Sequence, residues 1–301
     1  MNTIHRRIIR AVALSMFAII IATQCQPRGV RYSVPPPPLE MQTVKTGFVY
    51  YFPQAHTFAV QPARTQKKGL AVTEWRPTDA ARVGATWCYN WSPGGKPCGD
   101  DVEFIAMIWC ADVPAYIAPS RKLAGANEPD QPSQCNKSPR EYVATWRMIE
   151  ERFGDRALIA PVPSQEHLDW LLEFRREYIE QVGAPPRFDY LAMHCYVSHA
   201  EHCIAILDFY TRLVDEWGIA GGVIVTEFAI FPCLNPSGYL AEARKLIEHF
   251  EDEPRVAGYA WFANAIDETA WWWYGLGAAC NSQLLRPDGT YSEIGRMYAE
   301  K

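Results

Sequence analysis

The sequence predicts an α/β fold, a (β/α)8 TIM barrel formed by one domain over residues 67–301. Three observations predict it. Eight short apolar segments rich in Val, Ile and aromatic residues recur after Lys67. Amphipathic helical stretches fall between many of them, the pattern of a parallel sheet with helices outside. The strand number and the roughly 200 residues they occupy match a closed eight-stranded barrel. A doubly wound open sheet is the competing architecture. It usually carries a Gly-rich phosphate loop after its first strand, and EWRPTD (74–79) is not one.

The strands, in order, are GLAVTEW (69–75), GATWCYNW (84–91), VEFIAMIW (102–109), KLAGANE (122–128), ALIAPVP (157–163), YLAMHCYV (190–197), VIVTEFAI (223–230) and VAGYAWFA (256–263). They are short, apolar and rich in Val, Ile and aromatic residues. EYVATWRMIEERFG (141–154) has apolar residues at helical spacing and a terminal Gly. SQEHLDWLLEFRREYIEQVG (164–183) opens with Ser164 as candidate N-cap and closes with Gly. AILDFYTRLVDEWG (205–218) and GYLAEARKLIEHF (238–250) read the same way. The segment 265–285 is a long insertion after the eighth strand, and its Trp271, Trp272 and Trp273 suit a sugar platform or packing beneath the loop.

Residues 1–24 read as a signal peptide. His5, Arg6, Arg7 and Arg10 precede AVALSMFAIIIA (11–22), a basic stretch before an apolar run. That run is shorter than the ~20 residues a spanning helix needs, so export is favoured over an uncleaved membrane anchor. Cys25 follows Ala22, Thr23 and Gln24, a weak match to a bacterial lipoprotein site. The expected location is therefore secreted or cell-surface, with attachment to a membrane through the N-terminus as the alternative. Residues 25–66 read as a Pro-rich linker or N-terminal arm: PPPP (35–38) is stiff and extended, and FVYYF (48–52) could be a strand or a surface-hugging arm.

Setting Cys25 aside leaves eight of nine cysteines, an even count that in an exported chain reads as disulfides. Proximity suggests Cys88 with Cys98 and Cys195 with Cys203. Zinc is the rival reading, but CYVSHAEHC (195–203) lacks a regular ligand spacing, so neither metal nor cofactor is expected. The net charge of -5 argues against nucleic acid as a partner. Eleven Trp and fifteen Tyr exceed what a core requires, which suits a cleft lined with flat aromatic faces. A monomer is expected.

In a barrel the C-terminal strand tips share one face, and chemistry happens there. Those tips supply Glu74 and Trp75, then Tyr89, Asn90 and Trp91, then Trp109. Asn127 and Glu128, His194 and Tyr196, Glu227, and Trp261 follow. Pro129 removes a backbone donor and disfavours helical geometry at Glu128, which should leave that residue extended at its tip. Two glutamates on one mouth could flank a scissile glycosidic bond. Such hydrolysis needs one carboxyl protonated as acid and the other ionised, about 5–5.5 Å apart if configuration is retained. Glu128 is assigned as acid/base and Glu227 as nucleophile. Asn127 would bond a sugar hydroxyl, and His194 or Tyr196 would orient the nucleophile or tune it. Trp75, Tyr89, Asn90, Trp91, Trp109 and Trp261 complete the expected substrate-binding set. Taken singly, a Glu at a strand end is most often solvated and a His in an apolar run is most often a core residue; their coincidence on one face is what argues for a site.

ANEPD (126–130) with VTEFA (225–229) resembles the retaining glycoside hydrolases of clan A. KKGLAV (67–72), WCYNW (87–91), FIAMIW (104–109), LAMHCYV (191–197) and YAWF (259–262) extend the likeness to glycoside hydrolase family 128, over essentially all of Lys67 to the C-terminus. The resemblance implies a β-1,3-glucanase acting on a β-glucan polysaccharide, with endo action expected and exo action open. Cys88 within the aromatic cluster and the number of cysteines depart from the family pattern. A catalytically silent glycan-binding barrel and a clan A hydrolase of another β-linked polysaccharide are the rival expectations.

Overall fold

Short apolar runs can bury their side chains only if their backbone polar groups pair with neighbours. In the computed structural model, which describes residues 65–95, 98–266 and 282–301, they pair as parallel strands. β1 (Lys68–Ala71) lies between β2 (Trp87–Tyr89) and β9 (Val256–Phe262). β9 pairs with β8 (Val223–Ile230), and β8 with β7 (Leu191–Val197). On the other side β2 pairs with β3 (Glu103–Phe104). β4 (Ala106–Met107) resumes that strand after Ile105 and pairs with β5 (Lys122–Ala124), which pairs with β6 (Ala157–Ile159). A bridge between Ile159 and Tyr190 joins β6 to the start of β7 and closes the ring. With β3 and β4 counted as one interrupted strand, the eight predicted segments make one barrel.

Several strands are shorter than predicted. ALIAPVP keeps only Ala157–Ile159 in the ladder, because Pro161 and Pro163 have no N–H to offer a neighbour. Gly125 continues β5 toward the mouth where no side chain fits: a Cβ there would lie 2.8 Å from the Trp146 ring and 3.0 Å from Pro161 N.

Six helices cover the described parts of the outer face. α1 (Asp79–Arg82) is one turn, and α2 (Pro139–Phe153) opens with Pro139 and a capping box between Ser138 and Glu141. α3 (Asp169–Val182) and α4 (Ala200–Trp217) each end on a left-handed Gly, Gly183 and Gly218. α5 (Tyr239–Asp252) precedes β9, and α6 (Glu293–Glu300) starts at the N-cap Ser292. Ser164 does not cap α3, contrary to expectation: its hydroxyl and its N–H are both taken by Asp130, and the helix begins later, after Leu168. α4 begins earlier than expected, at Ala200, whose N–H is taken by the Glu242 carboxylate at 2.7 Å. The sequence pattern predicts neither α1 nor α6. Among the described residues no helix lies between β2 and β3 or between β4 and β5, so the regular alternation lapses there.

Side chains alternate between two packed layers, as period-two strands require. Ala71, Ile105, Met107, Ala124, Ile159 and Ala192 fill the barrel interior. The outward residues pack under the helices, where Phe174 of α3 meets Tyr142, Trp146, Trp170, Tyr178 and Phe188. Disulfides join Cys88 to Cys98 and Cys195 to Cys203, as proximity suggested, and also Cys110 to Cys135. The export segment, Cys25, the PPPP linker, FVYYF, Trp271–Trp273 and Cys280 lie outside the described residues.

Phe174→Ala should empty the centre of this aromatic layer at a cost of about 3–5 kcal/mol. Leu172→Ala, on the same helix but 40% exposed, should stay within about 0.5 kcal/mol of wild type. Chemical denaturation of both variants checks the pair, and equal losses would contradict the packing described.

Candidate active site

Strict alternation would point Glu227 away from the mouth. Ile224 faces the barrel interior, so Thr226 should follow it and Glu227 should turn outward with Val225. A bulge reverses this. Met193 pairs with Val225 but His194 pairs with Glu227, so β8 carries an extra residue at Thr226. The register against β9 slips over the same stretch, from Val225–Tyr259 to Phe228–Trp261. One inserted residue re-aims the side chain beyond it. Glu227 thereby enters the mouth while Phe228 joins the outer core.

Three donors then fix the Glu227 carboxylate. Tyr89 Oη donates to its Oε1 at 3.0 Å and Trp91 Nε1 to the same oxygen at 2.8 Å. Tyr196 Oη donates to Oε2 at 2.5 Å. Burial, followed by the charge of Glu227, pushes both phenols well above their ordinary range, so both remain donors. Phe262 buttresses the collar, edge-on to Trp91 and to Tyr196 with centroids 5.8 Å away in each case.

Glu128 arrives from the tip of β5, where Asn127 bridges to Val162 and the Glu128 N–H donates to Val162 O at 2.8 Å. Its φ is 38°, in the left-handed region, so the extended geometry expected before Pro129 is not adopted. A turn closed by Gln131 N–H on the Glu128 carbonyl overrides the proline's preference. Trp91, with φ 57°, shares this unusual backbone. Such residues cost on the order of 1–3 kcal/mol each and persist where surrounding contacts over-determine them.

His194 joins the two carboxylates. Its Nδ1 lies 2.9 Å from Glu128 Oε1 and its Nε2 lies 3.3 Å from Glu227 Oε1. The second contact is electrostatic, since Nε2 is not aligned for a hydrogen bond. The imidazole is fully buried, the Glu227 side chain is 7% exposed and that of Glu128 19%, which makes Glu128 the wetter carboxylate. Burial alone would lower the imidazole's pKa. The charge of Glu227, then the hydrogen bond and charge of Glu128, outweigh burial and raise it.

The remaining expected residues divide. Asn127 is buried beside Glu128, and its Oδ1 has no partner among the described residues; neither has Oδ1 of Asn90. Trp75 and Trp109 keep exposed faces beyond the ends of β1 and β4. Glu74 pairs with Arg76 at 2.7 Å. Trp261 is not a substrate-facing residue: it points outward on β9, fully buried against Phe228 and Tyr298, with its indole N–H on Ser282 O at 2.6 Å. Its neighbour Phe262 occupies the mouth instead, as period two along β9 could have indicated. Tyr89 and His194 are too buried to line a sugar directly and hold the carboxylates instead. Glu166, which no strand tip or motif in the sequence marks, also lies near the site: burial and the charge of Glu128 push its carboxyl up.

A family model described as glycosyl hydrolase catalytic core matches residues 69–298. No curated protein sequence matches this chain. Among solved structures, a family 128 subgroup II endo-beta-1,3-glucanase from Pseudomonas viridiflava is similar, with 25% identity over 79% of this chain and 98% of its own, at a TM-score of 0.62. A subgroup V exo-beta-1,3-glucanase from Cryptococcus neoformans shares 20% identity over 78% of this chain and 98% of its own, also at 0.62. A subgroup VII oligosaccharide-binding protein from Trichoderma gamsii shares 20% identity over 80% of this chain and 94% of its own, at 0.62.

The raised pKa of His194 carries a stability consequence. A group protonated more readily when folded stabilises fully below its unfolded pKa of about 6.5 and loses that contribution as pH rises through the folded value. The melting-temperature advantage of wild type over His194→Asn should therefore be largest near pH 6 and shrink at alkaline pH. Thermal melts of the two proteins across this range check the sign, and a gap that widens with pH would contradict it.

Proposed function

The chain belongs to the glycosyl hydrolase catalytic core family and, within it, to glycoside hydrolase family 128, and from that premise we propose that it is a secreted retaining endo-β-1,3-glucanase. The observation that carries the chemistry is the single imidazole touching both Glu128 and Glu227, with three further donors on Glu227 alone. Two carboxylates held to one ring on one mouth suit a double displacement, which needs them close. The deeper, fully clamped Glu227 is the nucleophile. The wetter Glu128, which must exchange a proton with water, is the acid/base.

In the first step a Glu227 oxygen bonds to the anomeric carbon as the glycosidic C–O bond breaks, and Glu128 gives its proton to the departing oxygen. In the second, Glu128 takes a proton from water, whose oxygen replaces Glu227 on the same carbon. Both groups return to their starting states. Asn127, next to Glu128 at the same strand tip, is the residue we assign to a sugar hydroxyl beside the reacting carbon. Trp75 and Trp109 offer exposed faces on which sugar rings can stack. The β-1,3 linkage and endo action rest on likeness to the Pseudomonas viridiflava enzyme. Export rests on the basic and apolar N-terminal pattern and on the disulfides, which persist in oxidising compartments.

Incubation with laminarin should release reducing ends, and early products should be oligosaccharides of mixed length. Binding without release would instead identify a glycan-binding barrel. Glu227→Gln should abolish turnover of every substrate. Glu128→Ala should lose on the order of 10²–10⁴-fold on laminarin and retain activity on an aryl glycoside whose leaving group needs no proton. Equal loss on both substrates would reverse the role given to Glu128.

A further inference from the structure

β7 outruns its neighbour. β6 ends at Ile159, and the segment that should continue the ladder reads Ala160, Pro161, Val162, Pro163. The two prolines have no N–H. Of the two remaining donors, Ala160 N–H goes to Tyr190 O, and Val162 N–H turns away to Ala126 O, each at 2.9 Å. β7 nevertheless continues to Val197. Near its end, a side chain does what a strand would have done. The Gln165 carboxamide receives the Tyr196 N–H on Oε1 at 2.5 Å and donates from Nε2 to the Tyr196 carbonyl at 2.8 Å. The two bonds together fix the orientation of the amide.

Tyr196 is the residue whose hydroxyl holds Glu227 Oε2. Gln165 is itself placed by Ser164, whose N–H and hydroxyl both donate to Asp130 at 2.8 and 2.5 Å. Gln131 Nε2 adds a bond to the Ser164 hydroxyl at 2.9 Å. Asp130 stands two positions beyond Glu128. We propose that Gln165 is a positioning residue for the nucleophile, acting through the backbone of Tyr196, and that Asp130, Ser164 and Gln165 tie the Glu128 turn to the Glu227 clamp. This inference rests on Glu227 being the nucleophile of the reading above. Gln165 itself touches neither carboxylate; its effect is to hold the phenol at the height from which it reaches Glu227.

A double-mutant cycle on laminarin hydrolysis tests it. Gln165→Ala should lower kcat roughly tenfold with KM changed by less than about twofold, a smaller loss than the ~100-fold that a full ångström of misplacement can cost. Tyr196→Phe should lower kcat on its own, and adding Gln165→Ala to it should produce no further fall. Independent, multiplying losses would overturn the proposal, because a merely structural loop contact does not act through the Tyr196 hydroxyl. Unchanged kcat in Gln165→Ala would overturn it too. Gln165→Glu keeps the shape and the acceptor but loses the donor, and it replaces the alanine variant should that fail to fold. If wild-type protein releases no reducing ends, the hydrolase reading fails, and a crystal structure of Gln165→Glu decides the positioning claim. Tyr196 Oη displaced from Glu227 would support it, and an unmoved contact would overturn it.

Discussion

Two carboxylates brought into one partly buried mouth repel each other whenever both are ionised. At the spacing of about 5.5 Å general to retaining pairs, and an effective dielectric of about 20, the repulsion between two unit charges is roughly 3 kcal/mol. A fold that needs both groups must put something between them. Here it is His194, buried completely, with one ring nitrogen on Glu128 and the other beside Glu227. The contact is reciprocal: the carboxylates raise the imidazole's affinity for a proton against the opposing effect of burial, and a proton held on the ring offsets negative charge on either of them. If His194 were removed, the donors on Glu227 would remain, but the direct contact shared by the two acidic groups would be lost.

Much of the surrounding architecture serves that contact. The bulge at Thr226 turns Glu227 into the mouth, and the left-handed turn at Glu128 brings its carboxylate to the same imidazole. Disulfides fasten the segments that bear the site. Cys88 lies beside Tyr89, Cys195 lies between His194 and Tyr196, and Cys110 lies beside Trp109. Each bridge therefore anchors a strand tip where the regular helical cover is interrupted or where a positioned side chain needs a fixed backbone. Linking in this way limits what the unfolded chain can explore as well as bracing the folded one.

The barrel was legible because burial on both faces writes itself as apolar runs, and the eight segments were visible as such. The two glutamates were legible because each follows a run of that kind. What escaped were departures from period two. Nothing in VTEF announces that Thr226 is the bulged residue, and without the bulge Glu227 would face the helices. The same rule, applied to β9 where no such correction was needed at its end, would have chosen Phe262 over Trp261. Chemical type suggested Trp, and geometry placed Phe. The proline before which Glu128 sits argued for an extended residue, but tertiary hydrogen bonds at Val162 and Gln131 decided otherwise. Ser164 read as a helix cap by residue type and is instead held by a distant aspartate, a long-range pairing that local sequence does not encode.

Double displacement requires Glu227 to reach the anomeric carbon itself rather than activate a water across a wider gap. The stereochemistry of the newly formed chain end reports this directly. Proton NMR during the first minutes of laminarin hydrolysis, before mutarotation, should show the β-anomer at the new reducing end, the result of two successive inversions. An α-anomer appearing first would contradict the account, since it requires a single inversion by water and carboxylates spaced too far apart to share one imidazole in this way.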